Sequence, residues 1–485
     1  MPNNRPNVIV ILTDDQGYWA MRCAGNSELR TPNLDRLAAE GMLFENFFCT
    51  SPVCSPARAS LLTGRIPSYH GVHDWLRAGN STCEPERDGR LIEYLDGIPG
   101  YTDLLAQNGY TCGISGKWHM GDSHHAQKGF SFWKVHSRAG GSYYDAPLVR
   151  DEETVYLEER YVTDVFTDNA IAFLEEHEES GKGPFYLSLH YTAPHSPWER
   201  DQHPPEYFDP YYEDCPFESV PDEPMHPNAR PNRRFFESAE NRREMLSGYF
   251  AAVTAMDAGV GRILDWLEEH DLREDTLIFF TSDNGMNMGH HGICGKGNGT
   301  SPLNMFDTSV KVPALMSRPG HLPSGLLCRG LYSHYDFMPT LLDYLEIDNP
   351  LEEELPGSSF ADLLRTGSEE GAPDVIVYDE YGYTRMIRTR IYKYVHRYPD
   401  GPHEFYDLLT DPDEREDLYG TAEHGQKIEE MRDRMEGWFA RYVRPEVDGV
   451  GMGVAGWGQL DRETFCDEFP DDWWREPRSS WQSQE

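Results

Sequence analysis

Short apolar runs alternate with stretches of helical spacing along most of the chain. The apolar runs predict buried strands at residues 7–13, 110–115, 185–190, 276–281 and 312–317. The stretches between and after them predict helices at residues 33–40, 102–107, 244–269 and 334–345. This alternation is typical of an α/β domain with a large, mostly parallel central sheet flanked by helices.

The pattern changes near residue 374. Shorter apolar runs, a Pro-Asp-Gly turn and a closing helical stretch predict a small antiparallel sheet with one helix, from residues 375–379, 384–388, 392–396, 399–401 and 426–442. We therefore predict a larger first domain, a smaller C-terminal α+β subdomain and an irregular Gly- and Trp-rich tail, over residues 1–373, 374–446 and 447–485. Two regions rich in Pro, Asp and Tyr, 138–159 and 198–243, break the periodicity and predict long loops.

Polar side chains follow four of the predicted strands. They are Asp14 and Asp15 after the first, Lys117 and His119 after the second, His195 after the third, and Asp283 and Asn284 after the fourth. The carboxyl ends of parallel strands meet at one edge of a sheet, and ligands of such sheets bind there. We therefore expect these side chains to form one site.

Charge limits the partners of this chain. It has 83 acidic and 43 basic residues and a formal net charge of -40 at pH 7. Such a charge repels polyanions and argues against nucleic acid or an anionic membrane surface as a partner. An anionic substrate would therefore need a local basic pocket.

Apolar run length and cysteine usage predict the compartment. No stretch approaches the ~20 continuous apolar residues of a membrane span, and the first apolar run ends in two aspartates where a signal peptide would have small residues. The nine cysteines are odd in number, scattered and without the close pairs of a zinc or redox motif, which favours a reducing compartment. We therefore predict a cytoplasmic protein without a membrane partner.

Cys54 differs from the other cysteines in the helix signals directly after it. Ser55 suits an N-cap, Pro56 suits the first helical turn, and Gly64 suits the helix end. Cys54 would then precede a helix N-terminus, where free N–H groups and the helix dipole favour anions and lower the pKa of a thiol. Arg58, one turn into the helix, would reach back toward residue 54. The local pattern also fits a core cysteine beside a capped helix with a surface arginine, so by itself it leaves both interpretations open.

The sequence around Cys54 resembles the signature of type I sulfatases. It reads Cys-Ser-Pro-Ala-Arg followed by Ala-Ser-Leu-Leu-Thr-Gly-Arg, and in that family the cysteine is oxidised enzymatically to formylglycine. Further motifs agree in order and spacing, at residues 6–15, 31–35, 116–119, 193–195, 282–285, 295–297, 404–408 and 411–412. The resemblance covers most of residues 5–445 and implies the alkaline-phosphatase-like fold of that superfamily.

The oxygen-bearing side chains at the strand ends match the metal site of the family. The metal ligands that the resemblance implies are Asp14, Asp15, Asp283, Asn284 and the modified Cys54. Ligands of this kind suit Ca²⁺, which takes ~6 to 8 oxygens, and suit zinc poorly. The expected cofactors are therefore Ca²⁺ and a formylglycine that a maturation enzyme makes from Cys54.

The resemblance also implies a mechanism. One hydroxyl of the hydrated formylglycine attacks sulfur while calcium and Arg58 stabilise its oxyanion form. His195, acting with Lys296, protonates the leaving alcohol, and His119 deprotonates the second hydroxyl, which expels sulfate. Lys117, Lys296 and Arg58 form the basic pocket that binds the sulfate oxygens.

The acidic surface favours a pocket for one terminal sulfated sugar over a groove that follows a long polyanion. We therefore expect an exo-acting carbohydrate sulfatase, with glycosaminoglycan or mucin sugars as substrates ahead of small aryl sulfates. Candidate sugar contacts in the insertions and the tail are Arg138, Tyr143, Tyr144, Trp198, Trp457, Trp473 and Trp474.

Two alternatives remain open on the sequence. An arylsulfatase, or a phosphonate or phosphodiester hydrolase of the same superfamily, would carry similar motifs, although the absence of a His-rich second metal motif favours one calcium and sulfate. A non-catalytic calcium-dependent glycan-binding protein is the second alternative. Such a protein would need no general acid, general base or nucleophile, so the presence of candidates for all three argues against it.

Overall fold

The computed structural model describes residues 5–77, 91–230, 233–369 and 376–465. Trp473, Trp474, residue 375 and the predicted subdomain boundary at 373/374 lie outside these residues. Within them, no helix has the length and apolar character needed to cross a membrane. No cysteine of the described ranges forms a disulfide.

Strands and helices alternate through the larger part of the described chain. The strands are β1 (Asn7–Thr13), β2 (Met42–Phe48), β3 (Thr111–Lys117), β4 (Phe130–His136), β5 (Pro147–Arg150), β6 (Glu153–Tyr156), β7 (Phe185–His190), β8 (Thr276–Ser282), β9 (Asn287–Met288), β10 (Cys294–Gly295), β11 (Lys311–Val312), β12 (Ala314–Ser317), β13 (Leu326–Ser333), β14 (Val377–Tyr381), β15 (Thr384–Arg388), β16 (Tyr392–Arg397) and β17 (Glu404–Asp407). The helices are α1 (Pro32–Glu40), α2 (Cys54–Thr63), α3 (Pro67–His70), α4 (Tyr101–Gln107), α5 (Val162–Ser180), α6 (Pro205–Asp214), α7 (Arg233–Glu237), α8 (Ala239–Glu269), α9 (Asp307–Val310), α10 (His334–Tyr344), α11 (Ala361–Thr366) and α12 (Gly425–Tyr442).

Eleven strands form one large mixed sheet. Its order is β11-β2-β12-β8-β1-β7-β3-β4-β5-β6, and β13 pairs with β2 beside this path. The middle of the sheet, from β8 through β1, β7 and β3 to β4, is parallel throughout. Antiparallel neighbours, β12 and β5, adjoin it on the two sides. The predicted α/β fold is confirmed, with the parallel pairing concentrated in the middle of the sheet.

The sheet is buried on both faces, and β1 shows this directly. Val8, Val10 and Leu12 belong to one buried apolar cluster, whereas Ile9 and Ile11 belong to another. Helices cover each face, α5 and α8 among them on the Ile9 side. A strand with two apolar faces appears in the sequence as a continuous apolar run, which is why β1 is predicted to the residue.

Some predicted elements differ from the structure. The run at 312–317 is not one strand, because Pro313 has no N–H for the ladder and separates β11 from β12. Both of these strands are antiparallel to β2. The two regions predicted as long loops contain the β5–β6 hairpin and helices α6 and α7, and Pro210 lies inside α6. The apolar pattern also fails to predict β2, β4, β13 and α5.

The last strands form a separate antiparallel sheet in the order β14-β15-β16-β17. Helix α12 packs on this sheet through Met431, Met435 and Phe439, which share a buried cluster with Ile387 and Tyr394. This arrangement places one apolar face of the sheet under an amphipathic helix.

A buried ion cluster joins this small sheet to the large one. Asp307 of α9 binds Arg388 of β15 at 2.8 Å and Lys393 of β16 at 2.7 Å. Lys393 also binds Glu414 at 2.5 Å. The side chains of Arg388 and Lys393 are 9% and 0% exposed, so each charge depends on its protein partners for compensation.

Replacing Asp307 tests this cluster. In Asp307→Ala the guanidinium of Arg388 stays buried without its carboxylate, and we expect the free energy of unfolding to fall by about 3–5 kcal/mol. Equilibrium denaturant unfolding measures the change. The control is Asp362→Ala, whose carboxylate is 95% exposed and pairs with Arg365 at 3.2 Å. That surface pair should contribute less than about 1 kcal/mol, and equal losses in the two variants would contradict the interpretation.

Candidate functional site

Four parallel strands end side by side at the site. In the order β8, β1, β7, β3 they are associated with Asp283, Asp14 and His195, which lie in the loops that follow β8, β1 and β7, and with Lys117, the last residue of β3. The chain turns sharply after β1, where Asp15 has a φ of 61°. Its carbonyl accepts a hydrogen bond of 3.0 Å from the Tyr249 hydroxyl of α8. The sheet thus brings together residues that are far apart in sequence, as expected from the strand ends.

Helix α2 begins at Cys54 and is buried along its whole length. Its N-cap residue is Val53, so the predicted N-cap at Ser55 is wrong. The Ser55 hydroxyl oxygen instead accepts the backbone N–H of Leu76 at 3.0 Å. This bond holds Leu76 against the first turn of α2. The segment around Leu76 therefore lies beside Cys54.

The thiol of Cys54 lies between a carboxylate and an amine. Its Sγ, which stands where the oxygens of formylglycine would lie, is 3.3 Å from Asp14 Oδ1 and 2.9 Å from Lys296 Nζ. Burial and Asp14 raise the pKa of Cys54, although Lys117 and Lys296 oppose them. The expected lowering of the thiol pKa is therefore wrong, because desolvation outweighs the helix N-terminus and the lysines. A thiol that stays protonated is a poor nucleophile.

Each of three cationic side chains at the site pairs with a carboxylate. The pairs are Lys117 with Asp14 at 2.5 Å, Arg58 with Asp283 at 2.8 Å, and Lys296 with Asp15. Arg58 also donates from Nη1 to the carbonyl of Lys117 at 3.1 Å. Its Nη2 is buried and has no hydrogen-bond partner within the described ranges. Buried guanidinium N–H groups are costly when unpaired, so this atom suits a further anion.

Oxygen ligands gather around Cys54. Asp14, Asp15, Cys54 and His195 each offer one ligand atom, and these atoms lie within 4.8 Å of one another. Asn284 adjoins them, because its Nδ2 donates to Asp15 Oδ1 at 2.8 Å.

The Asn284 side-chain oxygen and the nearby carboxylates fit a divalent cation. Asn284 Oδ1 is buried and lacks a hydrogen-bond partner in the part of the chain that the structure describes. Burial and Asp14 raise the pKa of Asp283 to about 7, which reflects crowding of negative charge. A hard divalent cation bound by these oxygens would satisfy the amide oxygen and oppose that repulsion. The site is therefore a possible metal site. Its cluster of ligand atoms contains Asp14, Asp15 and Cys54 of the predicted ligands together with His195, which the sequence predicts as the acid and not as a ligand.

Two histidines of the site, His195 and His119, have different hydrogen-bond partners. His195 donates from Nδ1 to the carbonyl of Ser196 at 2.7 Å, and its Nε2 lies 3.6 Å from Asp15 Oδ2. His119 donates from Nε2 to the carbonyl of Leu76 at 3.0 Å, while its buried Nδ1 has no hydrogen-bond partner among the described residues. Burial and Lys117 lower the pKa of His119, so its Nδ1 lone pair is free of a proton at neutral pH. His119 has the form of a base.

His190, the last residue of β7, is a member of the site that the sequence does not single out. Its Nδ1 donates to the carbonyl of Lys117 at 3.2 Å. Its buried Nε2 has no partner within the described residues. Burial and Arg58 lower its pKa to about 3. In the sequence, the only feature that could have indicated a functional role is its position at the end of a predicted strand. The apolar pattern assigns it to that buried strand, residues 185–190.

Tyr143 and Trp198, two of the candidate sugar contacts, are buried and position the His195 loop. The Tyr143 hydroxyl donates to the carbonyl of His195 at 2.8 Å. Trp198 Nε1 donates to the carbonyl of Pro194 at 2.8 Å. Arg138 is exposed, and Tyr144 and Trp457 are half-buried.

Comparisons with known proteins agree with this geometry. The family profile described as Sulfatase matches residues 6–347. The profile described as N-sulphoglucosamine sulphohydrolase, C-terminal, matches residues 302–440.

Individual relatives match over most of the chain. An N-acetylglucosamine-6-O-sulfatase of Bacteroides thetaiotaomicron is 27% identical over 92% of this chain and 88% of its own. An N-acetylgalactosamine-6-sulfatase of Canis lupus familiaris is 30% identical over 76% of this chain and 67% of its own. A solved structure in complex with its substrate, D-glucosamine-2-N,6-O-disulfate, has the same fold, with a TM-score of 0.74 at 24% identity over 90% of this chain and 98% of that chain.

Cation binding provides a test of the site that does not depend on turnover. We expect Ca²⁺ added to metal-free protein to stabilise it by about 2.7 kcal/mol at a hundredfold excess over Kd. Asn284→Ala, which removes one oxygen ligand, should weaken this stabilisation and shift it to higher Ca²⁺ concentration. Thermal unfolding as a function of Ca²⁺ measures both. The control Asp275→Asn alters a carboxylate that is 71% exposed, and a similar loss there would count against the site.

Proposed function

Because the chain belongs to the sulfatase family and is a sulfuric ester hydrolase that acts on sulfated glycans, we propose that its substrate is a terminal 6-sulfated N-acetylhexosamine. Two observations support this substrate. The curated relatives from Bacteroides and dog are described as 6-sulfatases of N-acetylglucosamine and N-acetylgalactosamine. The formal charge of -40 disfavours a groove that follows a long polyanion, so exo action on one chain end is the better fit.

The observation that carries the proposal is the set of groups around Cys54. A sulfate ester has anionic oxygens, and Arg58, Lys117 and Lys296 surround the position of the nucleophile. Nη2 of Arg58 lies 3.8 Å from Asp14 Oδ1 and makes no hydrogen bond to a described residue, so it can donate one to a sulfate oxygen. We assign these three side chains to binding the sulfate oxygens and to stabilising the charge that grows on them in the transition state.

Residue 54 acts in its oxidised form in this proposal. Formylglycine, once hydrated, supplies an oxygen nucleophile together with a second hydroxyl through which the enzyme is regenerated. The buried thiol has neither, which explains why Cys54 must be modified by a maturation enzyme. Ca²⁺ is the proposed metal, held by Asp14, Asp15, Asp283 and Asn284, and it supplies Lewis-acid stabilisation of anionic oxygen.

Proton transfer is assigned to the two histidines. His195 is half-buried, at 30% side-chain exposure, so it borders the side from which the sugar enters. We assign it to protonating the leaving alcohol, with Lys296 as the second candidate donor. His119 is fully enclosed and unprotonated, which suits a base that takes the proton of the second hydroxyl. His190 keeps the Lys117 carbonyl in place beside Arg58.

Mass spectrometry of the tryptic peptide 37–58 tests the nucleophile. In protein from its native host, Cys54 should have lost sulfur and gained an aldehyde oxygen. Cys49 lies in the same peptide and is an internal control, because it should keep its thiol. Cys54→Ser should lower kcat by about a thousandfold or more, because serine lacks the second hydroxyl. An intact thiol at position 54 in active protein would refute the mechanism.

A panel of matched substrates tests the specificity. We expect a defined oligosaccharide with a 6-sulfate on its terminal N-acetylhexosamine to be hydrolysed at least about tenfold faster, in kcat/KM, than its isomer with the sulfate at an internal sugar. An aryl phosphate diester serves as the comparison for the rival reaction and should be the poorest substrate. Equal rates on terminal and internal sulfate would contradict exo action, and faster turnover of the diester would contradict the assignment to sulfate.

A further inference from the structure

Residues 456–459 of the tail lie between the segment around Leu76 and the loop that follows Lys296. On one side, Gln459 donates its N–H to the carbonyl of Trp75 at 2.8 Å and accepts the N–H of Arg77 at 2.9 Å. Leu76, between Trp75 and Arg77, donates its N–H to the Ser55 hydroxyl oxygen at 3.0 Å. Because Ser55 follows Cys54 directly, residues 75–77 lie beside the nucleophile.

On the other side of these tail residues lies the loop that follows Lys296. Asn298, two residues after that lysine, donates from Nδ2 to the carbonyl of Gly456 at 3.3 Å. Arg230 is tied to the same loop, because its backbone N–H donates to the carbonyl of Gly299 at 2.7 Å. A Cβ added at Gly456 would come within 2.8 Å of Arg230 Nη1, so only glycine leaves room for the guanidinium here.

The guanidinium of Arg230 lies on a tail residue. Its Cζ is 4.3 Å from the centroid of the Trp457 ring, which is cation–π distance. Its Nη1 is buried and has no hydrogen-bond partner within the described part of the chain. Burial lowers the pKa of Arg230, yet arginine keeps its charge in proteins. The side chain is therefore held in place, and one of its N–H groups is not satisfied by any described residue.

The nearby carboxylate of Asp74 does not use this N–H group. It accepts the Tyr381 hydroxyl at 2.5 Å and the backbone N–H groups of Trp75 at 2.9 Å and Gly458 at 3.0 Å. Burial and Asp74 raise the pKa of Tyr381, and the positive charge of Arg230 opposes them. Tyr381 is thus a common neighbour of Asp74 and Arg230.

We propose that Arg230, held on Trp457, binds a second anionic group of the substrate, while the sulfate to be removed lies at Cys54. A planar guanidinium with two N–H edges recognises sulfate and carboxylate oxygens in this manner. The second group is either a substituent on the same sugar or the carboxylate of the next sugar. The inference deepens the proposed function and rests on it, because it concerns the substrate of the same site.

Matched substrates that differ in one charge test the inference. The reference is N-acetylglucosamine 6-sulfate, with one anionic group. Glucosamine 2-N,6-O-disulfate carries a second anion on the same sugar, and a disaccharide of N-acetylglucosamine 6-sulfate linked to a uronate carries it on the next. The wild type should turn over one of the two dianionic substrates with a kcat/KM at least about tenfold above the reference, and which one identifies the source of the second anion.

Arg230→Met keeps apolar contact with Trp457 but removes the charge. We expect this variant to lose the preference through a KM about tenfold higher for the preferred dianionic substrate, with kcat and the reference substrate little changed. Arg230→Lys retains a point charge and should therefore keep part of the preference for the dianionic substrate. This variant serves as the test if Arg230→Met is destabilised. Arg365→Ala, an arginine that pairs with Asp343 on the surface, is the control for loss of a positive charge and should keep the preference.

The outcomes separate the two proposals. Equal effects of Arg230→Met on all three substrates, or a wild type without a preference for a second anion, would overturn the role of Arg230 while leaving the sulfatase mechanism intact. Failure of the wild type, with Cys54 oxidised, to hydrolyse any of the sulfate esters would overturn the proposed function itself.

Discussion

Buried charge balance is the constraint on which this site depends. Three carboxylates, Asp14, Asp15 and Asp283, face three cations, Arg58, Lys117 and Lys296, in an interior where an unpaired charge costs several kcal/mol. The six side chains are formally neutral as a set. A divalent cation bound by the carboxylates would therefore make the pocket positive and suited to an anionic sulfate ester. A local positive pocket of this kind is what an anionic substrate would need in a protein with a net charge of -40.

The backbone makes this balance possible. The charged residues come from the ends of the parallel strands β8, β1 and β3, with β7 between β1 and β3, from the start of α2 and from the loop after β10. None of these segments could bury its charge alone. Each is compensated only by a side chain from another segment, so the ion pairs form as the sheet is completed. The site and the central sheet are in this sense one cooperative structure.

The environment of Cys54 also explains why its chemistry cannot be that of a thiol. A reactive cysteine needs a lowered pKa, and here burial and Asp14 act in the opposite direction. The same enclosure suits an oxygen nucleophile, because the lysines and Arg58 are already arranged around it and solvent is excluded. Among the described residues around Cys54, His195 is partly exposed, at 30% of its side chain, so residues at that edge are placed to contact a substrate.

The sequence by itself predicted the α/β class, several strands to within a residue or two, and the family. Strands with two buried faces are recognisable as continuous apolar runs. The motif around Cys54 is specific enough to identify the family, and the family in turn implies roles for the other site residues. It did not predict the N-cap of α2 or the direction of the Cys54 pKa shift. Both depend on neighbours distant in sequence, Leu76 in one case and Asp14 in the other. Only the tertiary structure brought Arg230 onto Trp457, because a guanidinium loses its solvent and meets its aromatic partner only when the tail is in place.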